Sequence, residues 1–194
     1  MHVLRIATTV TLLALTATTT LTGCVPVMVA GAAANVALVA TDRRTAGAQL
    51  DDKTIETKVG ANASATWGDT IHLNVNSFNG IVLLTGEAPD AATRAAIEAM
   101  VKPIEKVRSV VNAMVIAPNV PLSSSTNDTY ITSKVKARFV EANRFQINYV
   151  KVVTERQVVY LMGIVTHKEA DDASELASTT TDVVRVVRVF EYMN

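Results

Sequence analysis

Cys24 is the only cysteine of the chain, and it follows Leu21-Thr22-Gly23. A thiol placed directly after small residues, at the end of an apolar stretch, is a substrate for lipoprotein processing. The sulfur becomes a lipid thioether, the peptide bond before Cys24 is cut, and the new amino terminus is acylated. The preceding segment supports this. A short, weakly basic head ending at Arg5 leads into the apolar run Ile6 to Leu21, the layout of a secretory signal. A transmembrane helix followed by a buried thiol fits less well, because Thr8, Thr9, Thr11, Thr16, Thr18, Thr19 and Thr20 make the run a poor span. A single cysteine also excludes an intrachain disulfide. Each acyl CH₂ buried in lipid contributes about 0.8 kcal/mol, and stable anchoring takes two chains. A fully acylated Cys24 is therefore a permanent anchor. Val25 follows it rather than Asp, which favours the outer membrane, with the chain facing the periplasm.

The other residues able to do chemistry are sparse. His72 and His167 have no cysteine or second histidine at ligand spacing, so no metal is expected. No nucleophile elbow, phosphate-binding glycine loop or zinc motif occurs, so neither catalysis nor a cofactor is expected. The 194 residues carry no formal net charge, and removing residues 1–23 takes away only Arg5. The balance gives no support for nucleic-acid binding.

Residues 24–50 read as a lipidated tether. Val25 to Ala40 is uncharged and rich in Val, Ala and Gly, and the chain turns polar from Thr41. Beyond it the sequence repeats. Asp52, Ile55, Lys58 and Val59 recur 76 residues later as Asp128, Ile131, Lys134 and Val135. Val75, Val82, Gly86, Val107, Arg108 and Val110 recur 77 later as Val152, Val159, Gly163, Val184, Arg185 and Val187. Two units of about 65 residues are small but foldable.

Both units give the same pattern. Asp51-Asp52 is expected to cap a helix with the stripe Ile55, Val59, Ala63. Ile71, Leu73 and Val75 alternate with polar residues as a half-buried strand, and Asn79-Gly80 signals a two-residue hairpin turn. Ile81 to Thr85 returns, Pro89 suits the first turn of a helix reaching about Val101, and Val107 to Ile116 is a third strand. In the second unit, Asn127-Asp128 opens a helix with the stripe Ile131, Val135, Phe139. Strands at about Asn148 to Thr154 and Val158 to Met162 are joined by Glu155-Arg156-Gln157. Thr166-x-x-Glu169 is a capping box, and Val183 to Tyr192 is the closing strand. The fold class is α+β: two αββαβ units, each a small mixed three-stranded sheet packed against two helices, with a parallel crossover to the last strand.

A lipidation motif, two αββαβ units and a glycine ending each second strand (Gly86, Gly163) resemble the BON-domain family. Thr41-Asp42-x-Arg44, Gln49-x-Asp51-Asp52, Asn127-Asp128-Thr129, Ile131-Thr132-x-Lys134-Val135 and Leu161-Met162-Gly163 with Val165-Thr166 extend the similarity to the dual BON-domain outer-membrane lipoproteins associated with division and outer-membrane stress. The domains implied are a signal peptide 1–23, tether 24–50, BON domain 51–117, linker 118–126 and BON domain 127–194.

The resemblance implies no catalysis. It implies binding of an anionic phospholipid membrane through the second BON domain, support of outer-membrane integrity, and gathering at division sites. The alternative is an anchored module that binds outer-membrane assembly or division proteins. Carried over, the lipid contact is the second helix of that domain from Ile164 and the ring of Tyr130, whose aromatic side chain suits headgroup depth. The contact set is then Tyr130, Lys134, Arg138, Ile164, Thr166, His167 and Lys168. The helix His167 to Glu175 is acidic, so cations must come from Lys134, Lys136, Arg138 or Lys168, with the N–H groups near Thr166 as a phosphate cradle. Gly86 and Gly163 are read as turn or close-packing positions.

Overall fold

The computed structural model describes residues 42–117 and 123–193. Cys24, the signal segment, most of the tether and residues 118–122 of the linker lie outside them. None of the described helices is long and apolar enough to cross a membrane.

The first unit consists of α1 (Ala46–Trp67), β1 (His72–Phe78), β2 (Ile81–Ala88), α2 (Ala91–Val101), β3 (Ser109–Asn112) and β4 (Val115–Ile116). The second consists of α3 (Ser123–Ala142), β5 (Val150–Glu155), β6 (Val158–Val165), α4 (His167–Ser178) and β7 (Arg185–Tyr192). In each unit the hairpin is antiparallel and the helix crosses to a parallel final strand.

Helix starts differ from expectation. α1 begins inside the expected tether, because the Thr45 hydroxyl accepts from the Ala48 N–H and supplies the cap. Asp52 is therefore not a cap but a buried residue about two turns further on. α3 begins at Ser123, inside the expected linker, so Asn127-Asp128 lies within the helix. At α2 the cap is Asp90, and Pro89 stands before it rather than in the first turn.

The two aspartates that recur in the repeat share one task. Asp52 accepts the N–H groups of Asn79 and Gly80 at 2.7 and 2.8 Å, and Asp128 accepts those of Arg156 and Gln157 at 2.8 and 2.9 Å. Each carboxylate ties its helix to the hairpin turn in front of it. Both turns have two residues, with left-handed backbone at Asn79 (φ 51°) and Gly80 (φ 76°), and at Arg156 (φ 51°) and Gln157 (φ 62°). Glu155 is thus the last residue of β5, paired with Val158, and not part of the turn. At Arg156-Gln157 the Asp128 carboxylate holds a turn that those two residues do not favour.

The third strand of the first unit is interrupted. Leu84 pairs with Asn112 and Glu87 with Val115, so the register is the same on both sides of the break. The break faces Gly86, whose φ of 113° bends β2 away, and Met114 turns into the core. β7 faces no such bend and runs unbroken.

Three apolar clusters hold the fold. Ile55, Val59, Ala63, Val82, Leu84, Ile97 and Val101 form the core under α1 and α2. Ile131, Val135, Phe139, Val159, Leu161, Ala173 and Ala177 form the core under α3 and α4. Phe78, Leu83, Tyr160, Met162 and Val189 join the helix-free faces of the two sheets, which pack on each other. β2 and β6 are therefore buried on both faces. Alternation remains visible only on the outer strands.

Candidate functional site

Tyr130 stands on the outer side of α3, 59 % exposed, one turn before Lys134. The Lys134 ammonium lies 5.0 Å from the ring centroid, a cation–π contact. It also donates to Asp182 at 3.0 Å, in the turn after α4. Val184, next to that turn, is 73 % exposed. The sequence places these groups by period alone. Ile131, Val135 and Phe139 must face the core, and Tyr130 and Lys134, a helical turn apart, fall outside that stripe.

Arg138 has a different task. Its guanidinium donates to the Leu176 carbonyl and to the hydroxyls of Thr179 and Thr180 at 2.8, 2.8 and 3.1 Å. It closes the carboxyl end of α4, where free carbonyls favour a cation. This places the α3 group beside that end of α4.

The α4 residues lie at the opposite end of the helix, about 1.5 Å per residue away along its axis. Ile164 is partly buried: its side chain packs against the cluster between the sheets, and its carbonyl accepts from Arg43 at 2.8 Å. Thr166 caps α4, with its hydroxyl accepting the Glu169 N–H while the Glu169 carboxylate accepts the Thr166 N–H. That carboxylate also takes both Arg43 Nη groups at 2.7 and 2.8 Å. The helix start is thus filled by a carboxylate of the chain itself, and a phosphate would have to displace it. The hydrogen bond from Arg43, outweighing burial, holds the Glu169 carboxyl below its usual range. His167 stacks on Tyr192 with centroids 4.4 Å apart, and Lys168 pairs with Asp172 at 2.6 Å.

The structure therefore splits the expected contact set in two. Tyr130 and Lys134 stand together beside Asp182, whereas Ile164, Thr166, His167 and Lys168 lie at the far end of α4, where Ile164 and Thr166 are part-buried and His167 and Lys168 are exposed. The acidity of α4 has an internal explanation. Asp171 pairs with Arg188 at 2.8 Å, Glu175 with Arg144 at 2.9 Å, Asp172 with Lys168, and Glu169 with Arg43.

Gly163 and Gly86 occupy equivalent places in the two hairpins. A Cβ at Gly163 would lie 2.2 Å from the Tyr149 carbonyl oxygen, and one at Gly86 would lie 2.1 Å from that of His72. Sequence reasoning missed Arg43 and Arg44. Arg43 lies over the Tyr149 ring at 3.6 Å, and Arg44 lies over Phe78 at 3.9 Å while pairing with Asp52 and Asp42. The end of the tether is thereby pinned to both units. Of the group His72, Glu87 and Glu155, sequence reasoning weighed only His72, alone and without ligand partners; in the structure His72 and Glu87 meet across the first hairpin and Glu155 joins them from the second unit.

A family model described as the BON domain matches residues 51–118 and 127–194. The outer membrane lipoprotein DolP of Haemophilus influenzae is 35 % identical over 180 residues, covering 92 % of this chain and 93 % of that one. A 21 kDa hemolysin of Actinobacillus pleuropneumoniae is 30 % identical over 154 residues, 78 % of this chain and 79 % of its own. A solved structural protein of the type III secretion system of Chlamydia trachomatis aligns over 73 % of this chain and 63 % of its own. The TM-score is 0.29 at 12 % identity, too low to carry any inference.

Proposed function

This chain belongs to the BON-domain family and is an outer-membrane lipoprotein, and from that premise we propose that its second BON domain binds anionic phospholipid, without catalysis, and so supports outer-membrane integrity and gathering at division sites. The observation that carries this reading is the exposed Tyr130 ring with the Lys134 ammonium above it. An amphipathic ring suits the depth of lipid headgroups, and the cation beside it suits their phosphates. The contact narrows to the α3 face with Val184. α4 serves as its support, because the Glu169 carboxylate and Arg43 already fill its helix start.

Lipidated Cys24 already supplies attachment. Tethering raises the local concentration of the α3 face at the membrane, so a weak contact suffices to choose where the protein collects. The test is flotation of the unlipidated mature chain (Cys24→Ala) with anionic and with neutral vesicles at low salt. Preference for anionic vesicles is expected, lost in Tyr130→Glu and kept in Thr54→Glu, the equivalent exposed position of the first unit. Equal binding to both vesicle types, or equal loss in both variants, overturns the reading.

One observation favours the second reading, an anchored module for outer-membrane assembly or division proteins. β4 pairs only with β2 among the described strands, and Val115 and Ile116 are exposed on it. A partner strand could add to such an edge. Cross-linking from Ile116 in cells should then trap a discrete protein, and adducts only between copies of this chain would count against it.

A further inference from the structure

We propose that His72, Glu87 and Glu155 form a site for a divalent transition-metal ion that staples the two BON domains together. His72 and Glu87 face each other across the β1–β2 pair. Glu155 reaches them from the end of β5 in the other domain, accepting from Asn74 at 2.7 Å and from Thr85 at 3.2 Å. One ligand atom from each of the three residues lies within 4.8 Å of the others. Both glutamates are buried, at 3 % and 8 % exposure.

The donor atoms are already gathered. Two buried carboxylates sit here, and only Arg156 is bonded to them as a cation, donating to Oε1 of Glu87 at 3.0 Å, while Lys136 lines the cleft outside. Oε2 of Glu87 faces Nδ1 of His72 at 2.7 Å. An ion bound at 2.0–2.2 Å to nitrogen and oxygen holds neighbouring ligand atoms roughly 3 Å apart. The pair is thus already close to ligand spacing, and the Glu155 carboxylate lies within 4.8 Å of it. The ion takes the place of the His72–Glu87 contact, and Arg156 keeps Oε1. A cleft of about 460 Å³, lined by His72, Asn74, Asp128, Thr132, Lys136 and Glu155, gives an entry path and room for water ligands. One imidazole with two carboxylates suits Zn²⁺, Mn²⁺ or Fe²⁺ better than Mg²⁺ or Ca²⁺.

The duplication supplies an independent comparison. The two hairpins share one register, with Leu73 opposite Gly86 and Val150 opposite Gly163. The positions equivalent to His72, Glu87 and Glu155 are therefore Tyr149, Ile164 and Phe78. Those three are covered by tether arginines, with Arg43 over Tyr149 and on the Ile164 carbonyl, and Arg44 over Phe78. The fold does not require ligating residues at these places. One end of the seam between the sheets is closed by cations of the chain itself, and the other carries a ligand set open to a cleft.

The test uses the lipidated mature chain in detergent, without a polyhistidine tag. Its one cysteine is then a thioether, and only His72 and His167 remain after loss of His2. Zn²⁺ is titrated against a chromophoric chelator, with Mg²⁺ as control. Saturable binding of one Zn²⁺ per chain is expected, with a rise in Tm. His72→Gln and Glu155→Gln should each weaken it by about tenfold or more, the scale of losing a metal-site group, while His167→Gln leaves it unchanged. The His72 imidazole NMR signals of the unmodified chain should move with Zn²⁺ while those of His167 stay, a readout that does not depend on any variant folding. Absence of saturable Zn²⁺ binding, or binding unchanged in His72→Gln with unmoved His72 signals, overturns the proposal.

Discussion

Replacing Asp52 by alanine tests the joint between helix and hairpin on which the first BON domain is built. The carboxylate is 3 % exposed. It accepts from the Ser77 hydroxyl at 2.6 Å, the Asn79 and Gly80 N–H groups at 2.7 and 2.8 Å, and Arg44 at 2.9 Å. Alanine leaves two main-chain donors and a half-buried guanidinium without this acceptor. Each stranded donor costs about 1–3 kcal/mol, and breaking a buried charge pair about 3–5 kcal/mol. Because these contacts share one carboxylate, the expected loss is about 3–5 kcal/mol rather than their sum. Two domains of this combined size hold about 8–20 kcal/mol in total, so the variant stays folded. Urea denaturation of the whole chain, followed by circular dichroism, should show the midpoint falling by about 2 M at a slope near 2 kcal/mol/M. Asp128→Ala removes an acceptor from two N–H groups and should cost less, about 2–3 kcal/mol. A midpoint shift below about 0.5 M for Asp52→Ala, or a larger loss from Asp128→Ala, refutes the reasoning.

Three further outcomes are expected. Despite its burial, Asp52 is held below the usual carboxylate range by Ser77, Gly80, Asn79 and Arg44, and Glu169 is held below it mainly by Arg43. Their stabilisation is complete above the unfolded carboxylate value of about 4 and is lost as pH falls through the depressed values; acid titration of stability should therefore be less steep in Asp52→Asn. Gly163→Ala drives a methyl into the Tyr149 carbonyl and should cost about 1–3 kcal/mol, and Gly86→Ala more, since φ 113° adds backbone strain; a thermal-unfolding series checks the order. Gln157→Gly relieves a left-handed residue at φ 62° and should raise stability by about 0.5–1 kcal/mol in the same series.

The repeat pattern made the αββαβ order legible because each element announces itself locally. Ile55, Val59 and Ala63 mark a helix face, Asn79-Gly80 a turn, and Thr166 with Glu169 a helix start. Boundaries were less legible where a side chain from elsewhere decides. Asp128 imposes a two-residue turn on Arg156-Gln157, and Thr45 starts α1 ahead of the residues that look like its cap. The face-to-face packing of the sheets was hidden because β2 and β6 read as apolar runs, which period alone cannot assign to one face or two. Of the site, Tyr130 came from the family resemblance, and helical spacing places it with Lys134 outside the core stripe. The roles of Arg43, Arg138 and the His72, Glu87 and Glu155 cluster could not, because their partners lie in other elements or in the other domain.

The central claim is that the membrane contact is the α3 face of the second BON domain. A residue-by-residue NMR titration of the unlipidated mature chain with anionic phospholipid micelles tests it most directly. The account predicts shifts and broadening at Tyr130, Lys134, the turn at Asp182 and Val184, with the α4 start at Thr166 to Lys168 unmoved. Perturbation centred on that α4 start, or on β4 of the first domain, would contradict it.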